Sequence, residues 1–423
     1  MKKLIVPALL SCFFFIFLID QVQNAYDRQT PQFLLLAILN FCSLAYLFYK
    51  FSINTIISHI KNNKSFLFYF GYIIISGISI IIAENKVEAV ITYSRYLTYF
   101  TTFFVILIII KVYKFNIIDF FFKIIVASVL IESGAVLYTV IDNVIVNGND
   151  FTRGNDYRGF SANINLVAFS LVAKTPVIFY YLFQYKSKTK LILLYSLIFM
   201  ISSSLFFLLT RGAFLAFFLT TSFIFFYKLI KDFKPVIVKT VISVIILFTS
   251  FQVSTIIMDS NESNVIIDRV SSIQLNTSDD SINQRLRYFS HAITSISKTP
   301  LLGIGVGNWK FKSIDYDSKN MKEYIVPSFV HNDFLHIGAE IGILGLIFYV
   351  LFILNPCILL IKKILSSKET FFDIILLSMI LVCWIDSLFN FPVARPISHI
   401  FLIFLIIVFE ESLINKKKKS INA

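Results

Sequence analysis

The chain has 423 residues, of which 57% are hydrophobic and 15% charged, and its mean hydropathy is +0.79. Soluble globular domains are only about 45–50% apolar, so this composition excludes an ordinary soluble domain and indicates a membrane protein. The net charge of +13 does not indicate nucleic-acid binding, because the lysines stand beside apolar runs, where they set topology. Each of the four cysteines lies inside an apolar run, which excludes a disulfide framework or a cysteine-rich metal site.

Apolar runs of spanning length recur along the whole sequence. A helix needs about 20 predominantly apolar residues to cross the hydrocarbon core of a bilayer. We therefore predict an all-α integral membrane protein with about twelve transmembrane helices and one long extracytoplasmic loop. The predicted spans are 4–20, 32–50, 66–83, 91–110, 116–141, 162–183, 191–209, 212–230, 236–257, 337–361, 370–389 and 397–413.

These spans divide the chain into three parts. Residues 1–257 hold helices one to nine, residues 258–336 form the extracytoplasmic loop, and residues 337–423 hold the last three helices and a basic cytoplasmic tail. The first apolar run could be a signal peptide, but no small-residue cleavage site precedes Asp20. We therefore expect an uncleaved first helix.

Lysine positions predict the orientation of these helices. With the N-terminus in the cytoplasm, the cytoplasmic connections carry the lysine clusters and the short outer connections carry almost none, as the positive-inside rule requires. Lys86 is the exception, and Glu84 and Glu88 flank it. The clustered lysines are Lys50, Lys61, Lys64, Lys111, Lys114, Lys186, Lys188, Lys190, Lys228, Lys231, Lys234, Lys362, Lys363, Lys368 and Lys416 to Lys419.

Arginine follows the opposite distribution. None of the nine arginines lies in a predicted cytoplasmic loop; eight fall in outer segments and Arg95 lies near the outer end of its helix. A guanidinium can hold a phosphate through two parallel hydrogen bonds, so we expect several of these residues to bind an anion. The nine are Arg28, Arg95, Arg153, Arg158, Arg211, Arg269, Arg285, Arg287 and Arg395.

The long loop carries one predicted helix and one predicted turn. Apolar residues recur at helical spacing and predict an amphipathic helix over about 282–297, which Pro300 ends. The alternating glycines that follow, Gly303, Gly305 and Gly307, can form an anion-binding nest of backbone amides, but we interpret them as a tight turn. Asp315-Tyr316-Asp317 matches the metal motif of nucleotide-sugar transferases, yet on an outward-facing segment we interpret it as a solvated turn.

Four motifs follow one another in the second half of the chain, and a shorter one, Arg158-Gly159-Phe160 with Asn163-Ile164-Asn165, precedes them. Each motif alone is weak evidence for a protein family, but the order of the motifs along the chain is specific. The four are Thr210-Arg211-Gly212-Ala213-Phe214; Arg285-Leu286-Arg287-Tyr288-Phe289 with Pro300 to Gly307; His331-Asn332-Asp333-Phe334-Leu335 with Ala339-Glu340-Ile341-Gly342; and Asp386-Ser387-Leu388-Phe389-Asn390-Phe391-Pro392. In this order they resemble the O-antigen ligase and O-antigen polymerase superfamily of membrane glycan transferases.

The resemblance implies an enzyme of the bacterial cytoplasmic (inner) membrane whose active site faces the periplasm. Such an enzyme transfers a glycan from a polyprenyl diphosphate carrier to an acceptor hydroxyl, and the resemblance implies no metal and no other cofactor. The departing diphosphate needs cations where its charge develops, a role that we assign to Arg211, Arg285 and Arg158. The acceptor must lose a proton, and we assign His331 as the base.

Other residues receive expected roles beside these. Asn332, Asp333 and Glu340 are expected to support the site, and Asp333 also suits the N-cap of the next helix. We expect His336 to face away from His331, and Arg287 to be solvated. Glu132 and Lys174 lie at similar depth on consecutive helices, and we predict that they pair inside the membrane.

The sequence leaves several alternatives open. A glycolipid, polysaccharide or protein acceptor would each fit, so a surface-polysaccharide ligase, a polymerase and a protein O-oligosaccharyltransferase all remain, with the ligase preferred. A different class is a lipid-linked glycan flippase or transporter. Transporters of the common kinds show two similar halves, and no such repeat is visible here. No nucleic-acid partner is expected.

Overall fold

The computed structural model describes residues 2–19, 29–152, 157–160, 163–258, 280–319, 326–366 and 370–421. All regular structure within these ranges is helical. The α-helices are α1 (Lys2–Phe14), α2 (Thr30–Lys50), α3 (Ile53–Ile60), α4 (Lys64–Ser79), α5 (Lys86–Tyr113), α6 (Ile117–Val140), α7 (Ile164–Gln184), α8 (Lys188–Leu208), α9 (Arg211–Lys231), α10 (Phe233–Met258), α11 (Asp280–Lys298), α12 (Trp309–Asp317), α13 (Asp333–Leu365), α14 (Phe371–Phe389) and α15 (Pro396–Ile421).

Twelve apolar helices coincide with the twelve predicted spans. Ten of the described helices are long and apolar enough to cross a membrane, and the two at Leu4–Leu18 and Lys64–Ser79 are apolar but shorter. An all-α, multi-pass architecture is therefore confirmed, whereas the number of spans depends on how the two short helices meet the bilayer. The short helix α3, whose apolar residues lie along one face, was not predicted.

Successive membrane helices run antiparallel, which gives the bundle two ends with different chemistry. At one end, which we call the loop end, Val306 donates its backbone amide to Ser79 Oγ (3.1 Å) and Thr210 Oγ1 donates to Asn165 Oδ1 (3.2 Å). At the other end, which we call the lysine end, Lys363 pairs with Asp373. The described arginines fall on the loop end, and the described lysines of the predicted clusters lie at or near helix termini of the lysine end.

The last helix, α15, runs through the middle of the bundle. Residues 400–409 of this helix are all buried, as expected for a helix that is apolar on every side. Helix α4 packs along α13, and α14 packs against α7 and α9. Helix α10 keeps much of its apolar surface exposed, which suits a helix that faces lipid.

An ion pair joins α6 and α7 inside the bundle, as predicted. Lys174 Nζ contacts Glu132 and also donates to Ser128 Oγ (2.9 Å) and Ser170 Oγ (2.7 Å). Three phenylalanine rings, from α1, its continuation and α15, surround the ammonium at 5.2–5.8 Å. Both charged side chains are almost fully buried, so each needs the other to offset the loss of hydration.

The described parts of the connection between α10 and α13, residues 280–319 and 326–332, lie at the loop end. Helix α11 (Asp280–Lys298) occupies the position where the spacing predicted a helix, and it packs on the first turns of α13. A small apolar cluster of Tyr288, Ala292, Trp309, Val330 and Ala339 lies beneath it, separate from the main core. This cluster ties α11 and α12 to α13 and so fixes the residues that line the loop end.

Candidate functional site

His331 directly precedes the N-cap residue of α13 and has an unusual backbone conformation. Its φ of +62° lies in the left-handed region, which is uncommon for residues other than glycine and is found at functional sites. The imidazole lies 6.4 Å from the ring of Tyr288 in a stacked arrangement and 5.1 Å from the ring of Phe391 in an edge-on one. The histidine is thus held between an aromatic residue of α11 and one that follows α14.

The two residues after His331 hold this conformation. Asn332 is the N-cap of α13, because its side chain accepts a hydrogen bond from the amide of Leu335 at 3.0 Å, and its Nδ2 donates to the carbonyl of Leu388 at 3.3 Å. Asp333 was expected as a possible cap, but it is the first helical residue and is fully buried. Its Oδ2 accepts from Ser387 Oγ and from the amide of Val393, each at 3.1 Å.

The surroundings of His331 favour its neutral form. Burial lowers its pKa to about 4, with smaller contributions from Arg285, Arg395 and His336. Removal from water disfavours the charged imidazolium, and nearby positive charges act in the same direction. His331 is therefore a neutral imidazole at physiological pH, with one arginine of α11 and one that precedes α15 close enough to act on it.

Glu340, one of the supporting residues, binds the glycine-rich turn of the long loop. One carboxylate oxygen accepts from the amide of Gly307 and the other from the amide of Trp309, each at 2.8 Å. Gly303, Gly305 and Gly307 all have positive φ. The turn is therefore an anion nest, contrary to our interpretation of it as a tight turn only, and the anion that it holds is Glu340 of the same chain.

A break in α13 allows this contact. Gly342 has φ +78° and interrupts the helix, and the amide of Ile343 donates to the carbonyl of Pro300 at 2.7 Å. A Cβ at position 342 would lie 2.2 Å from the carbonyl oxygen of Leu301. Glycine is required here both for the backbone conformation and for the close approach of the loop.

The arginines assigned to the diphosphate lie on three different parts of the chain. Arg285 lies on α11, one turn before Tyr288, and acts electrostatically on the histidine. Arg211 is the first residue of α9, where Gly212 lets Phe169 and Phe389 approach closely. Arg158 lies in the connection between α6 and α7.

A cavity of about 450 Å³ opens at the loop end, lined by residues from seven separate parts of the chain, among them Phe329 and His336. Glu340 is the only predicted site residue among those that line it. The sequence reasoning named Arg95 and Arg395 among the nine arginines but placed neither among the site residues, although both line the cavity. The position of Arg395, directly after the Asp386 to Pro392 motif and before the last helix, is the signal that could have identified it.

His336 lines the cavity, and its Nε2 lies 3.6 Å from Glu340 Oε2. Two further expectations need correction. Arg287 is not simply solvated, because its Nε donates to Asp317 Oδ1 at 3.1 Å. Asp317 is buried at the end of α12, so the Asp315-Tyr316-Asp317 stretch is helical rather than a solvated turn. Among the described residues no three His, Cys, Asp or Glu side chains converge as metal ligands.

Comparison with known families identifies the central part of the chain. The model of a family described as O-antigen ligase matches residues 195–350, which is well under half of the sequence. Residues 195–350 are similar to the O-antigen ligase family. The resemblance drawn from the motifs is therefore confirmed. No curated protein matches the chain.

The O-antigen ligase segment contains most of the geometry described above. Arg211, Arg285, His331 and Glu340 lie within it, whereas Arg158 precedes it. The residues that hold His331 from the other side, between Asp386 and Arg395, follow it. The family match indicates a membrane glycan transferase of the O-antigen ligase and polymerase type.

Proposed function

We propose that this protein transfers a glycan from a polyprenyl diphosphate carrier to an acceptor hydroxyl, as a surface-polysaccharide ligase. The observation that carries the proposal is the position of His331, a neutral imidazole held between Tyr288 and Phe391 with Arg285 and Arg395 acting on it. A neutral base beside cations suits a reaction in which a hydroxyl loses a proton while a diphosphate departs.

The chemistry assigns one task to each group. The acceptor oxygen attacks the anomeric carbon of the donor, and the bond from that carbon to the diphosphate oxygen breaks. The proton of the acceptor hydroxyl passes to the imidazole of His331. The electron pair of the broken bond stays on the diphosphate, and Arg285 and Arg211 stabilise its added negative charge. Arg158 is assigned to the same anion from the connection before α7.

Donor binding also activates the base in this scheme. In the free protein, burial and nearby positive charge hold the pKa of His331 at about 4, so the imidazole is neutral but weakly basic. A bound diphosphate beside Arg285 offsets that positive charge and raises the pKa of His331. The histidine thus becomes a stronger base when the leaving group is in place.

The supporting residues orient His331 rather than touch the substrate. Asn332 and Asp333 fix the backbone on both sides of the histidine by bonding to Leu388, Ser387 and Val393. Glu340 holds the glycine-rich turn against α13. Under the positive-inside rule the lysine end faces the cytoplasm, so the site faces the periplasm of a bacterial inner membrane.

The test is a transfer assay with purified protein in detergent. The donor is a polyprenyl-diphosphate-linked glycan, and the acceptors are a lipid A core glycolipid, a polysaccharide chain and a serine-containing protein. We expect the wild type to transfer the glycan. The transfer rate should be at least 100-fold lower in His331→Gln, Arg211→Gln and Arg285→Gln, since loss of a general base lowers a rate by about 100-fold or more. Asp315→Asn, which changes an exposed carboxylate paired with Lys312, is the matched control.

The three acceptors distinguish the ligase from the polymerase and the protein O-oligosaccharyltransferase. Transfer to the glycolipid supports a ligase, whereas transfer only to the polysaccharide or only to the protein indicates a polymerase or a protein O-oligosaccharyltransferase. Wild-type rates in all three site variants would overturn the residue assignment. Donor binding without transfer to any acceptor in detergent, together with donor translocation by the protein reconstituted in lipid vesicles, would replace the proposal by the flippase.

A further inference from the structure

A groove of about 500 Å³ lies between α2, α3, α4 and α5 on the outer surface of the bundle. Of its twelve lining residues only Lys61 and Thr101 are not apolar, and Thr101 Oγ1 donates to the carbonyl of Leu97 at 2.8 Å. Lys61 is therefore the one lining side chain that can bind a polar ligand group. We call this the lateral groove; its other lining residues are Leu44, Phe48, Ile57, Ile60, Phe66, Leu67, Phe70, Leu97, Phe100 and Phe104.

The lateral groove is open to lipid. Phe48, Leu67 and Phe70 on its wall are 44–52% exposed, so the rest of the chain does not cover it. Helices α2 and α5 are long and apolar enough to cross a membrane, which places hydrocarbon chains at the opening. Along α5 the wall runs from Leu97 to Phe104, about 10 Å at 1.5 Å per residue. The groove can thus take up a length of acyl chain.

Helix α3 forms the rim of the lateral groove. Ile53, Ile56, Ile57 and Ile60 follow one another at helical spacing and lie on one face. Ile56 is buried, whereas Ile53 and Ile57 are 60% and 47% exposed. A helix of this pattern lies along a membrane surface with its apolar face toward the acyl chains. Since Ile57 and Ile60 also line the groove, α3 brings the level of the lipid headgroups to the edge of the groove.

Two unpaired ammonium groups stand at that edge. Lys61 caps the end of α3 and lines the groove, and Lys64 begins α4 three residues later. Both are exposed, and within the described ranges neither has an ion-pair or side-chain hydrogen-bond partner. The carboxylate of Glu410 bonds to the buried Asn63 between them and pairs with neither.

The charge of this corner is therefore positive and available. The sequence contains no acidic residue between Arg28 and Ala83, the stretch that holds α2, α3 and α4. Lipid chains are as apolar as the groove wall, so the chain of a lipid gives little selectivity among lipids. Selectivity comes from the headgroup, and two lysines favour an anionic one. A zwitterionic headgroup carries its own cation beside the phosphate and gains less.

We propose that the lateral groove binds an acyl chain of an anionic phospholipid from the leaflet at the lysine end, with the lipid phosphate held by Lys61 and Lys64. The groove volume of about 500 Å³ lies within the range of about 300–1,000 Å³ that is usual for small-molecule sites. The bound lipid joins α3 to α2 and α5 across the groove. None of these residues belongs to the site around His331, so the inference is independent of the proposed function.

The test uses quenching of tryptophan fluorescence by brominated lipids in reconstituted vesicles. Phe70→Trp places an indole on the groove wall, and the signal of the two native tryptophans, Trp309 and Trp384, is measured in the parent protein and subtracted. The vesicles contain phosphatidylcholine with increasing fractions of brominated phosphatidylglycerol or brominated phosphatidylcholine. We expect phosphatidylglycerol to bind at least about fivefold more tightly, which is the effect of one lysine near an anionic headgroup.

A reporter outside the groove controls for ordinary contact with lipid. Val238→Trp lies on α10, is 62% exposed in the parent residue and stands four residues after Lys234, so it shares a nearby lysine but no groove. Its preference for phosphatidylglycerol should be smaller. In the Phe70→Trp background, Lys61→Gln with Lys64→Gln should reduce the preference to that of the control reporter, and Lys234→Gln should leave it unchanged.

A second variant tests the apolar part of the site without changing any charge. Thr101→Phe fills part of the groove from α5, so the acyl chain is displaced and the preference at Phe70→Trp should fall. An unchanged preference in this variant would show that the lysines attract anionic lipid only as a charged surface, and would overturn the groove as the binding site.

Three other results would also contradict the inference. These are equal quenching at Phe70→Trp by the two brominated lipids, a preference no greater than at Val238→Trp, and a preference that survives removal of both lysines. Displacement of the brominated phosphatidylglycerol by polyprenyl monophosphate more readily than by unlabelled phosphatidylglycerol would replace the phospholipid by the carrier lipid. Absence of glycan transfer would leave the lipid site standing and contradict only the proposed function.

Discussion

The imidazole of His331 is held by contacts from parts of the chain that are distant in sequence. Tyr288 comes from α11 and Phe391 from the connection after α14, while Asn332 and Asp333 bond to the end of α14 and the residues beyond it. The backbone of the histidine lies in the left-handed region, which costs on the order of 1–3 kcal/mol and persists only where neighbours enforce it. This combination makes the ring rigid, half-buried and neutral.

The pH dependence of transfer follows from this environment. A protonated imidazole cannot accept the acceptor's proton, so activity falls as the pH drops through the pKa of His331. The acidic limb of kcat/KM, which reports the free protein, is expected near pH 4, because the pKa of His331 is lowered to about 4. The acidic limb of kcat should lie at higher pH, since the bound diphosphate offsets the charge of Arg285.

Initial rates over a range of pH and donor concentration measure both limbs. Arg285→Gln is the diagnostic variant: removal of a cation raises the pKa of His331, so its kcat/KM limb should move to higher pH even though its rate is lower. A kcat/KM limb near the ordinary histidine value of about 6.5, in wild type and variant alike, would be incompatible with this assignment.

The contact between Glu340 and the glycine-rich turn joins two elements, the long loop and α13. Each carboxylate oxygen accepts one backbone amide at 2.8 Å, and hydrogen bonds to a buried charged group contribute roughly 1.5–3 kcal/mol. Glu340→Gln replaces one acceptor oxygen by an amino group that cannot accept. We expect a loss of about 1.5–3 kcal/mol in the free energy of unfolding, measured by SDS titration in mixed micelles.

Two further variants serve as comparisons for that measurement. Gly342→Ala should destabilise at least as much, because its Cβ would meet the carbonyl of Leu301 at 2.2 Å in a backbone conformation that alanine avoids. Asp315→Asn, which breaks an exposed ion pair, should change stability by less than about 1 kcal/mol. Equal stability of Glu340→Gln and wild type would show that the carboxylate does not hold the turn.

The ion pair between α6 and α7 predicts strong coupling between two substitutions. Removal of one partner of a buried pair leaves an uncompensated charge and costs about 3–5 kcal/mol. Lys174→Ala should therefore destabilise the protein about as much as Lys174→Ala combined with Glu132→Ala. The same SDS titration provides the double-mutant cycle, and additive effects of the two single changes would refute the coupling.

At the scale of the whole molecule, the two ends of the bundle differ in their cations. The described lysines of the predicted clusters lie at or near the termini of helices at one end, and the described arginines lie at the other, on the same side as the cavity and His331. Lysine serves the positive-inside rule, whereas arginine provides the planar fork suited to phosphates and carboxylates. Lysine residues therefore set the orientation of the protein in the membrane, and arginine residues stand at the end where an anion is recognised.

This division predicts which end faces outward. Ser318, exposed after α12, and Ser187, exposed between α7 and α8, can each be replaced by cysteine in the wild-type background. In intact cells a membrane-impermeant maleimide should label Ser318→Cys and leave Ser187→Cys unlabelled, while both should react after permeabilisation. Labelling of Ser187→Cys alone in intact cells would reverse the orientation and remove the periplasmic site.

The sequence could predict the spanning helices because the bilayer imposes their length and apolarity. It could also predict the Lys174–Glu132 pair, since an intramembrane charge needs a partner at its own depth. It could not predict the cavity or the role of Arg395. Both depend on which connections meet at the loop end, and that is decided by packing between residues far apart in the chain. The helix containing Asp315 and Asp317 was missed for the same reason.

The bonds around Asp333 have a consequence for chimeric proteins. The O-antigen ligase segment ends at residue 350, yet Asn332 and Asp333 within it are fastened to Leu388, Ser387 and Val393 beyond it. A graft of the segment alone into a relative would separate the histidine from the residues that fix its backbone. Exchange of acceptor specificity between relatives therefore requires residues 331–395 to be transferred as one block, with the crossover placed outside them.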